Sequence, residues 1–398
     1  MKKNNQKKVI LEAAIRIISD NGLAAVTHRK IAKAASVTLS RTTYYFSTKQ
    51  QIVDDAASVI LSGYITLLDN FAVSLKQKNR KLKTVEEFCD RLISNAAGQH
   101  RQKALAWCEI MLDYARKSEG SDIARHWFSE LSHCWRRVAN ALSVNIDDID
   151  LQILIDTTLG MQFVVLALGL TADDVIKISV SDDPTERFNQ ILSKRNEIDD
   201  GVSKFGNKGL SSINNIINAT ITVITEQGPS YVTYKNVAQY ASMSLSAPAY
   251  YFNSISELLR VAERRIFFEA KDRYRRAIGS TPSPLQTIDN LADLSAAVFI
   301  REATEFRLPS IAHYQIWLEA ARSEPLRPEI AEAVVDQIRA WRRRFEMLGP
   351  CSNRHALLAQ SHFVGRLVRV MACGARIGDL TDFRKEFLRG FQIRWGAK

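Results

Sequence analysis

The sequence is poor in cysteine, and the few cysteines are scattered. Five occur among 398 residues, an odd number with no CxxC pair. This arrangement argues against a disulfide framework or a zinc site, and it favours buried thiols in a reducing cytoplasm. The residues are Cys89, Cys108, Cys134, Cys351 and Cys373.

Signals for strands and for catalysis are missing as well. The sequence has no GxSxG motif and no glycine-rich phosphate loop, so nothing places a nucleophile beside a base and we do not expect an enzyme. His126 and His133 lie near Asp122 and Cys134, but no HExxH motif supports a metal there. We therefore expect an all-α fold with no metal and no cofactor.

The chain also lacks a long apolar run. The longest, Met161 to Leu170, contains Gln162 and is too short to span a bilayer, so we interpret it as part of a buried helix. The N-terminus, MKKNNQKKVI, is basic but leads into an amphipathic helix and is not typical of a secretory signal. We expect a cytoplasmic protein with no membrane partner.

Basic residues, in contrast, are in excess. The formal net charge is +11 and the isoelectric point is near 9.4. This balance suits a polyanionic partner, although many proteins that bind none share it. Charge alone therefore supports a nucleic-acid partner without establishing one.

Residues 27–46, THRKIAKAASVTLSRTTYYF, hold the most informative local pattern. Thr27 is a candidate N-cap for a short helix whose apolar residues Ile31, Ala32 and Ala35 share one face. Thr38 begins a second short helix that carries small polar and basic side chains. Two short helices across a tight turn predict a helix-turn-helix that presents its second helix to a DNA major groove.

A fixed set of residues runs through this motif. The pattern T-x-x-x-I-A-x-x-A-x-V-[ST]-x-x-x-x-x-Y-x-F, with a lysine three residues on, is met by Thr27, Ile31, Ala32, Ala35, Val37, Thr38, Tyr44, Phe46 and Lys49. It resembles the TetR-type transcriptional regulators. The preceding helix fits through Ile10, Ala13, Ala14, Ile17 and Ile18. Ser36 and Ser40 stand where this family often has glycine, so we expect a slightly different turn.

The resemblance and the chemistry of the side chains suggest which residues contact DNA. An arginine fork on guanine is the commonest specific contact, so Arg41 is a candidate for a base edge, with a phosphate contact about equally favoured. We expect one ring of the pair Tyr44 and Tyr45 to pack inside and the other to face DNA. The predicted contact residues of the first head are Thr27, His28, Arg29, Thr38, Ser40, Arg41, Thr42, Tyr44 and Lys49.

The motif recurs further along the chain. A shift of 206 aligns residues 10–56 with residues 216–262, and 16 of those 47 positions are identical, against roughly one in sixteen expected from composition. The match extends through Trp135-Arg136-Arg137 and Trp341-Arg342-Arg343. We therefore predict a tandem duplication of one whole unit: head 1–56, helical effector and dimerisation domain 57–195, linker 196–212, head 213–262 and helical domain 263–398.

Proteins of the resembled family act as homodimers, so a chain with two copies could make that arrangement alone. Two heads about 34 to 36 Å apart would read successive major grooves. We expect an intramolecular pseudo-dimer that packs through residues 149–170 and 357–375, with further self-association left open. Four glycines would either allow close helix approach there or simply end helices: Gly160, Gly169, Gly365 and Gly374.

The second predicted head is less basic than the first. Arg29, Lys30, Lys33 and Arg41 align with Lys235, Asn236, Gln239 and Ala247, and Pro248 enters the first turn of the second recognition helix. It either reads a different half-site or has become a structural partner, and we favour the first. Its predicted contact residues are Thr233, Tyr234, Lys235, Ser244, Ser246, Ala247 and Tyr250.

The resemblance also implies a small-molecule pocket in each helical domain. Its candidate residues are Trp107, Met111, Trp127, Phe163, Tyr314, Trp317, Phe363 and Met371. Aromatic and methionine residues at helical spacing are more often plain core. The predicted function is a sequence-specific DNA-binding regulator, a repressor released by a small-molecule effector. The alternative is an interaction or ligand-sensing protein whose second head no longer binds DNA.

Overall fold

A computed structural model describes residues 2–77, 82, 84–117, 119–194, 206–279 and 287–392. The regular structure in these ranges is helical, and no strand occurs in them. The prediction of an all-α fold is confirmed. We call residues 2–194 the first half and residues 206–392 the second half.

The first half begins with a helix-turn-helix and continues as a helical bundle. A short 3-10 helix, Leu23–Ala25, follows the first helix. The α-helices are α1 Lys2–Asn21, α2 His28–Ala34, α3 Leu39–Tyr45, α4 Lys49–Lys76, α5 Val85–Ala97, α6 Arg101–Lys117, α7 Ser121–Ala141, α8 Asp148–Ala167, α9 Ala172–Val180 and α10 Thr185–Leu192.

The second half repeats this order of helices. Short 3-10 helices occur at Pro229–Tyr231 and Glu324–Leu326. The α-helices are α11 Asn207–Glu226, α12 Tyr234–Tyr240, α13 Ala247–Tyr251, α14 Ile255–Gly279, α15 Ile288–Ala303, α16 Arg307–Arg322, α17 Arg327–Glu346, α18 Asn353–Ala372, α19 Ile377–Thr381 and α20 Phe383–Gly390.

Three predicted boundaries differ from the structure. Residues 207–212, assigned to the linker, form the start of α11, because a helix anchored by its buried face at Ile213 and Ile216 extends at little further cost. Residues 196–205 lie outside the described part of the chain. The boundaries at residues 56 and 262 fall inside the continuous helices α4 and α14.

The two halves share a seam in which α8 packs across α18. A Cβ added to Gly160 would lie 1.8 Å from the carbonyl oxygen of Ser361, and one added to Gly365 would lie 1.8 Å from that of Asp156. The helices therefore touch backbone to backbone. The second contact is the first with the halves exchanged, because a shift of 205, one residue less than in the heads, aligns residues 156 and 160 with residues 361 and 365.

The other two glycines of the predicted seam have a different role. Gly169 and Gly374 have φ values of +64° and +93° and end α8 and α18, which is the left-handed conformation that favours glycine after a helix. The prediction of close helix approach therefore holds for Gly160 and Gly365, whereas Gly169 and Gly374 follow the helix-end alternative.

The described helices include two that are long and apolar enough to cross a bilayer, α4 and α8. Such helices are weak evidence for a membrane, because the core helix of a globular fold meets the same criterion. In α8, 67% of the apolar window is buried inside the fold, against 39% in α4. The apolar run 161–170 is therefore part of a buried helix and its end, as predicted.

Candidate DNA-binding heads and ligand cavities

The first head, residues 10–56, has the local geometry of a helix-turn-helix. The Thr27 side chain accepts a hydrogen bond of 3.2 Å from the backbone N–H of Lys30, which caps α2. Ser36 then takes a left-handed φ of +53° in the turn before α3. The turn is thus kept with serine in a conformation that glycine would adopt more easily.

The outer face of this head is polar and basic. Arg29, Lys30, Lys33 and Arg41 are all exposed, and the hydroxyls of Thr38 and Ser40 lie 3.1 Å apart at the start of α3. Such a face matches the requirement for cations and short polar groups at a phosphate backbone and in a major groove.

The two tyrosines at the end of α3 differ in exposure. Tyr44 is 67% exposed, whereas Tyr45 is half-buried and lies against Phe46. His28 is half-buried, so it is less accessible than the basic residues beside it.

Two residues of the first head that were predicted to contact DNA bind other groups of the protein instead. Thr42 is fully buried and its hydroxyl donates to the carbonyl oxygen of Leu39 at 2.8 Å, so its assignment to DNA is wrong. Lys49 donates to the hydroxyl of Tyr231 in the second half at 3.2 Å and lies over its ring. Lys49 therefore joins the two heads in this structure.

The second head, residues 216–262, repeats the fold with a smaller charge. Thr233 caps α12 by accepting from the N–H of Asn236 at 3.1 Å, and Ser242 has a φ of +52° in the turn. Pro248 occupies the first turn of α13, as predicted. Tyr250 is 73% exposed, which matches Tyr44.

The remaining predicted contacts of this head are not equally placed. Lys235, Ser244 and Ser246 are exposed, and Ala247 is half-buried. Tyr234 is half-buried and its hydroxyl donates to the carbonyl oxygen of Phe252 at 2.9 Å. Tyr234 thus stabilises the head from within, which leaves Lys235 and the two serines as the accessible polar groups among these residues.

One apolar residue at or just before the start of each recognition helix was not among the predicted contacts. Leu39 and Leu245 are 47% and 63% exposed and occupy the same position in the two heads. An exposed leucine there can contact the methyl group of thymine. The identity of the two residues in the aligned heads was the available signal.

Two arginines reach from one half to the head of the other. Arg322, at the end of α16, donates to the carbonyl oxygens of Ser19 and Ile18 at 2.6 and 3.0 Å, at the end of α1. Arg116, at the end of α6, donates to the carbonyl oxygen of Ile224 in α11 at 3.0 Å. Arg116 aligns with Arg322, and Ile18 aligns with Ile224. The two contacts are therefore equivalent, with the roles of the two halves exchanged.

A second exchanged pair lies at the opposite ends of α6 and α16. Arg101 donates to the carbonyl oxygen of Ala321 at 2.9 Å, and Arg307 donates to that of Ala115 at 2.8 Å. These contacts are isologous, in the sense that each surface meets its own counterpart. The sequence signal for these contacts was the pair of arginines near the two ends of α6, which recurs near the ends of α16 at the offset of 206.

The two reaching arginines differ in charge compensation. Arg322 lies 2.7 Å from a carboxylate oxygen of Glu109 and 3.1 Å from one of Glu319. Burial alone would lower the pKa of Arg322, but the two carboxylates outweigh it and raise that pKa. Arg116 instead donates to Gln315, the counterpart of Glu109, and burial lowers the pKa of Arg116. The contact to the first head is therefore an ion-pair cluster and the contact to the second head is not.

Each half contains a cavity at the same place in its bundle. The first-half cavity measures about 150 Å³ and the second-half cavity about 590 Å³. Of the residues predicted to line an effector pocket, Trp107 and Trp127 line the first cavity and Tyr314 and Phe363 line the second. Four predicted lining residues are wrong, because they are packed in the core and line neither: Met111, Phe163, Trp317 and Met371.

The comparisons with known proteins agree with this geometry. Residues 10–56 match the family described as "Bacterial regulatory proteins, tetR family", and residues 286–391 match "Tetracyclin repressor-like, C-terminal domain". The chain therefore contains a TetR-family helix-turn-helix domain, which is a DNA-binding and not an enzymatic module, and a TetR-type C-terminal domain.

One curated relative is similar over part of the chain. The probable HTH-type transcriptional regulator YttP of Bacillus subtilis (strain 168) is 25% identical over 114 residues. The match covers 28% of this chain and 53% of the relative, so the chain spans about half the length of the relative that it matches.

Proposed function

We propose that the chain is a sequence-specific DNA-binding transcriptional regulator, a repressor that a small-molecule effector releases from its operator. The observation that carries this proposal is the exposed basic face of a TetR-family helix-turn-helix at residues 10–56. Arg41 is the proposed base-reading residue, and Thr27 and Tyr44 are proposed phosphate contacts.

The two halves would act as an intramolecular pseudo-dimer produced by tandem duplication. The exchanged contacts of Gly160 and Gly365, and of Arg116 and Arg322, support this proposal, because a two-fold interface pairs each surface with its own counterpart. A covalent link also raises the effective concentration of the second head at its half-site.

Arg322 provides a route from ligand to DNA. Helix α16 lines the second-half cavity through Ser310, His313 and Tyr314 and ends at Arg322, which holds the C-terminal end of α1 in the first head. A ligand that moves α16 would therefore move the more basic head. The ligand can release DNA only by as much as its affinity differs between the two states.

The small number of basic residues on the second head favours one alternative function. Asn236 replaces Lys30 and donates its side-chain N–H to the carbonyl oxygen of Tyr231, so this side chain serves the fold of the head. In that alternative the chain senses a ligand and the second head contacts no DNA.

Selection of bound sequences from a random duplex pool tests the proposal. We expect a site with two unequal half-sites and an affinity that falls steeply with salt, because each phosphate contact adds about 0.9 to the slope of log affinity against log salt. A single half-site would favour the alternative, and an absence of sequence preference would contradict both.

A further inference from the structure

We propose that the protein binds one effector molecule per chain, in the second-half cavity, and that this ligand is an organic anion with an apolar body. The inference rests on the proposed regulatory function, since it names the ligand class of that regulator. It follows from a comparison of the two cavities, which occupy equivalent positions and differ in size and charge.

The equivalence of the cavities is given by their lining residues. Ile60 and Trp135 line the first cavity, and their counterparts Ile266 and Trp341 line the second. Ala104 in the first corresponds to Ser310 in the second. Both halves therefore have a cavity at the same position in the bundle, and different side chains line it.

Aromatic side chains fill the site in the first half. Trp127 packs against Tyr64 and Trp107 with ring centroids 5.9 and 5.0 Å apart. Their counterparts by the offset of 206 are Ala333, Ala270 and His313. The loss of these rings accounts for the difference between 150 and 590 Å³. Ligand pockets usually measure about 300–1,000 Å³, so of these two equivalent cavities only the one in the second half has the size of an effector site.

The second cavity also carries an excess of positive charge. Six basic side chains and two carboxylates line it, whereas the first cavity has one lysine and no carboxylate. Both carboxylates are already paired. Glu302 meets Arg273 with two bonds of 3.2 Å and accepts from Ser310 at 2.6 Å, and Asp336 meets Lys271.

Three of the four remaining cations are exposed: Arg275, Arg339 and Arg343. Arg339 and Arg343 are exposed residues of α17 that line the cavity. Arg339 lies 3.9 Å from Asp336, which is long for an ion pair. Asp336 is already paired with Lys271 at a shorter distance. The walls behind them are apolar and aromatic, with Trp341, Phe363 and Leu294. This order places an acid group of the ligand at the arginines and its apolar body inside.

The interior offers little to a ligand that is itself polar. Gln360 accepts from the indole N–H of Trp341 at 2.6 Å and donates to Gln337 at 2.8 Å. These amides are engaged with each other, so a ligand that competed for them would have to break bonds already made. An apolar body avoids that loss.

The test uses two matched pairs of probes, decanoate with decanol and 2-naphthoate with 2-naphthalenemethanol. Isothermal titration calorimetry should show one anion bound per chain for at least one pair, with the corresponding alcohol at least tenfold weaker. Equal affinities within both pairs, two anions per chain, or no binding by any probe would overturn the proposal.

Variants locate the site. The triple change Ala270→Tyr, His313→Trp and Ala333→Trp gives the second cavity the rings of the first and should abolish anion binding. The mirror change Tyr64→Ala, Trp107→His and Trp127→Ala should leave that binding in place. The exposed pair Arg339→Gln and Arg343→Gln keeps the core intact and should weaken the anion about two- to fivefold for each arginine, with little change for the alcohol. Unchanged anion affinity in the arginine variant would contradict the proposed orientation.

DNA binding separates this inference from the proposed function. The filled variant should still bind the selected duplex and should no longer respond to the anion. DNA binding without any anion binding would refute the inference and leave the regulator intact. Anion binding by a protein that shows no affinity for any duplex would refute the regulator and leave the ligand site.

Discussion

The first half of the molecule has the more basic head and a cavity filled by aromatic side chains, whereas the second half has a head with fewer basic residues and a larger cavity. Arg29, Lys30, Lys33 and Arg41 align with only one basic residue, Lys235. The cavity volumes rank the other way, at about 150 Å³ in the first half and about 590 Å³ in the second. A covalent link removes the need for identical halves, so one half can specialise in DNA and the other in the ligand.

The seam that joins these unlike halves should give the largest effect. Gly160→Ala puts a methyl group into the backbone of Ser361, and because neither helix can yield locally we expect a loss of about 3 kcal/mol or more in the free energy of unfolding. Urea denaturation measures it. The matched control is Gly63→Ala in the exposed part of α4, where the nearest atom to the new methyl is 3.9 Å away. This control should stabilise by about 0.5–1 kcal/mol, and equal losses in both variants would argue against a tight seam.

Low pH should reduce the stability that α18, the second-half helix of the seam, contributes. Burial lowers the pKa of His362 to about 4 from 6.5, although Asp156 opposes the shift. The unfolded chain therefore takes up the proton first, so this contribution to stability is complete above about pH 6.5 and falls as the pH drops towards 4, by on the order of 3 kcal/mol. His362→Gln should remove this dependence. The counterpart in the first half, Thr157, cannot titrate, so Thr157→Val serves as a control whose urea midpoints should keep the wild-type pH dependence.

The two reaching arginines should not be equivalent. Arg322→Gln leaves Glu109 buried without its cation, so we expect a loss of about 2 kcal/mol in stability, against about 1 kcal/mol for Arg116→Gln. The ratio of DNA affinities without and with the anion reports coupling. That ratio should collapse towards one in the Arg322 variant and change less in the Arg116 variant. The opposite ranking would mean that the ligand acts through the second head.

The heads offer a direct test of unequal DNA reading. Arg41→Ala should cost about 1–3 kcal/mol in binding and relax the preference at one base position. Lys235→Ala should cost less and lower the salt slope by about one contact. Competition binding to a panel of single-base operator variants distinguishes the two. Uniform weakening by Arg41→Ala would assign it to phosphate.

The turns should give the smallest effect and the same one in both heads. Ser36 and Ser242 have φ values of +53° and +52°, so Ser36→Gly and Ser242→Gly should each stabilise by about 0.5–1 kcal/mol. Thermal unfolding of the single variants measures it. A gain in stability in only one head would show that the two turns differ in strain although their φ values agree.

Repetition made much of this fold predictable. The offset of 206 aligned the two heads, and the glycines of the two matching apolar segments, Gly160 and Gly365 among them, indicated where the halves could pack closely. Helix caps such as Thr27 and Thr233 could also be recognised, because their hydrogen bonds are local in sequence.

The cavities and the contacts between halves were harder to predict. Helical periodicity says that Met111 and Trp107 are buried, but it does not say that only Trp107 faces a void. Arg322 bonds to backbone carbonyls, which every residue carries, so nothing at the partner positions marks the contact. Thr42 was assigned to DNA as one of the small polar side chains of the second short helix. The hydrogen bond to Leu39 that turns it inward depends on the actual helix geometry.

We propose that one chain reads DNA with two unlike heads. Hydroxyl-radical footprinting on the selected duplex, combined with the stoichiometry of the complex from analytical ultracentrifugation, distinguishes this arrangement from a symmetric dimer of chains. We expect one chain per duplex, with protection in two successive major grooves and the stronger protection under the first head. Two chains on a symmetric site, each protecting a single groove, would contradict it.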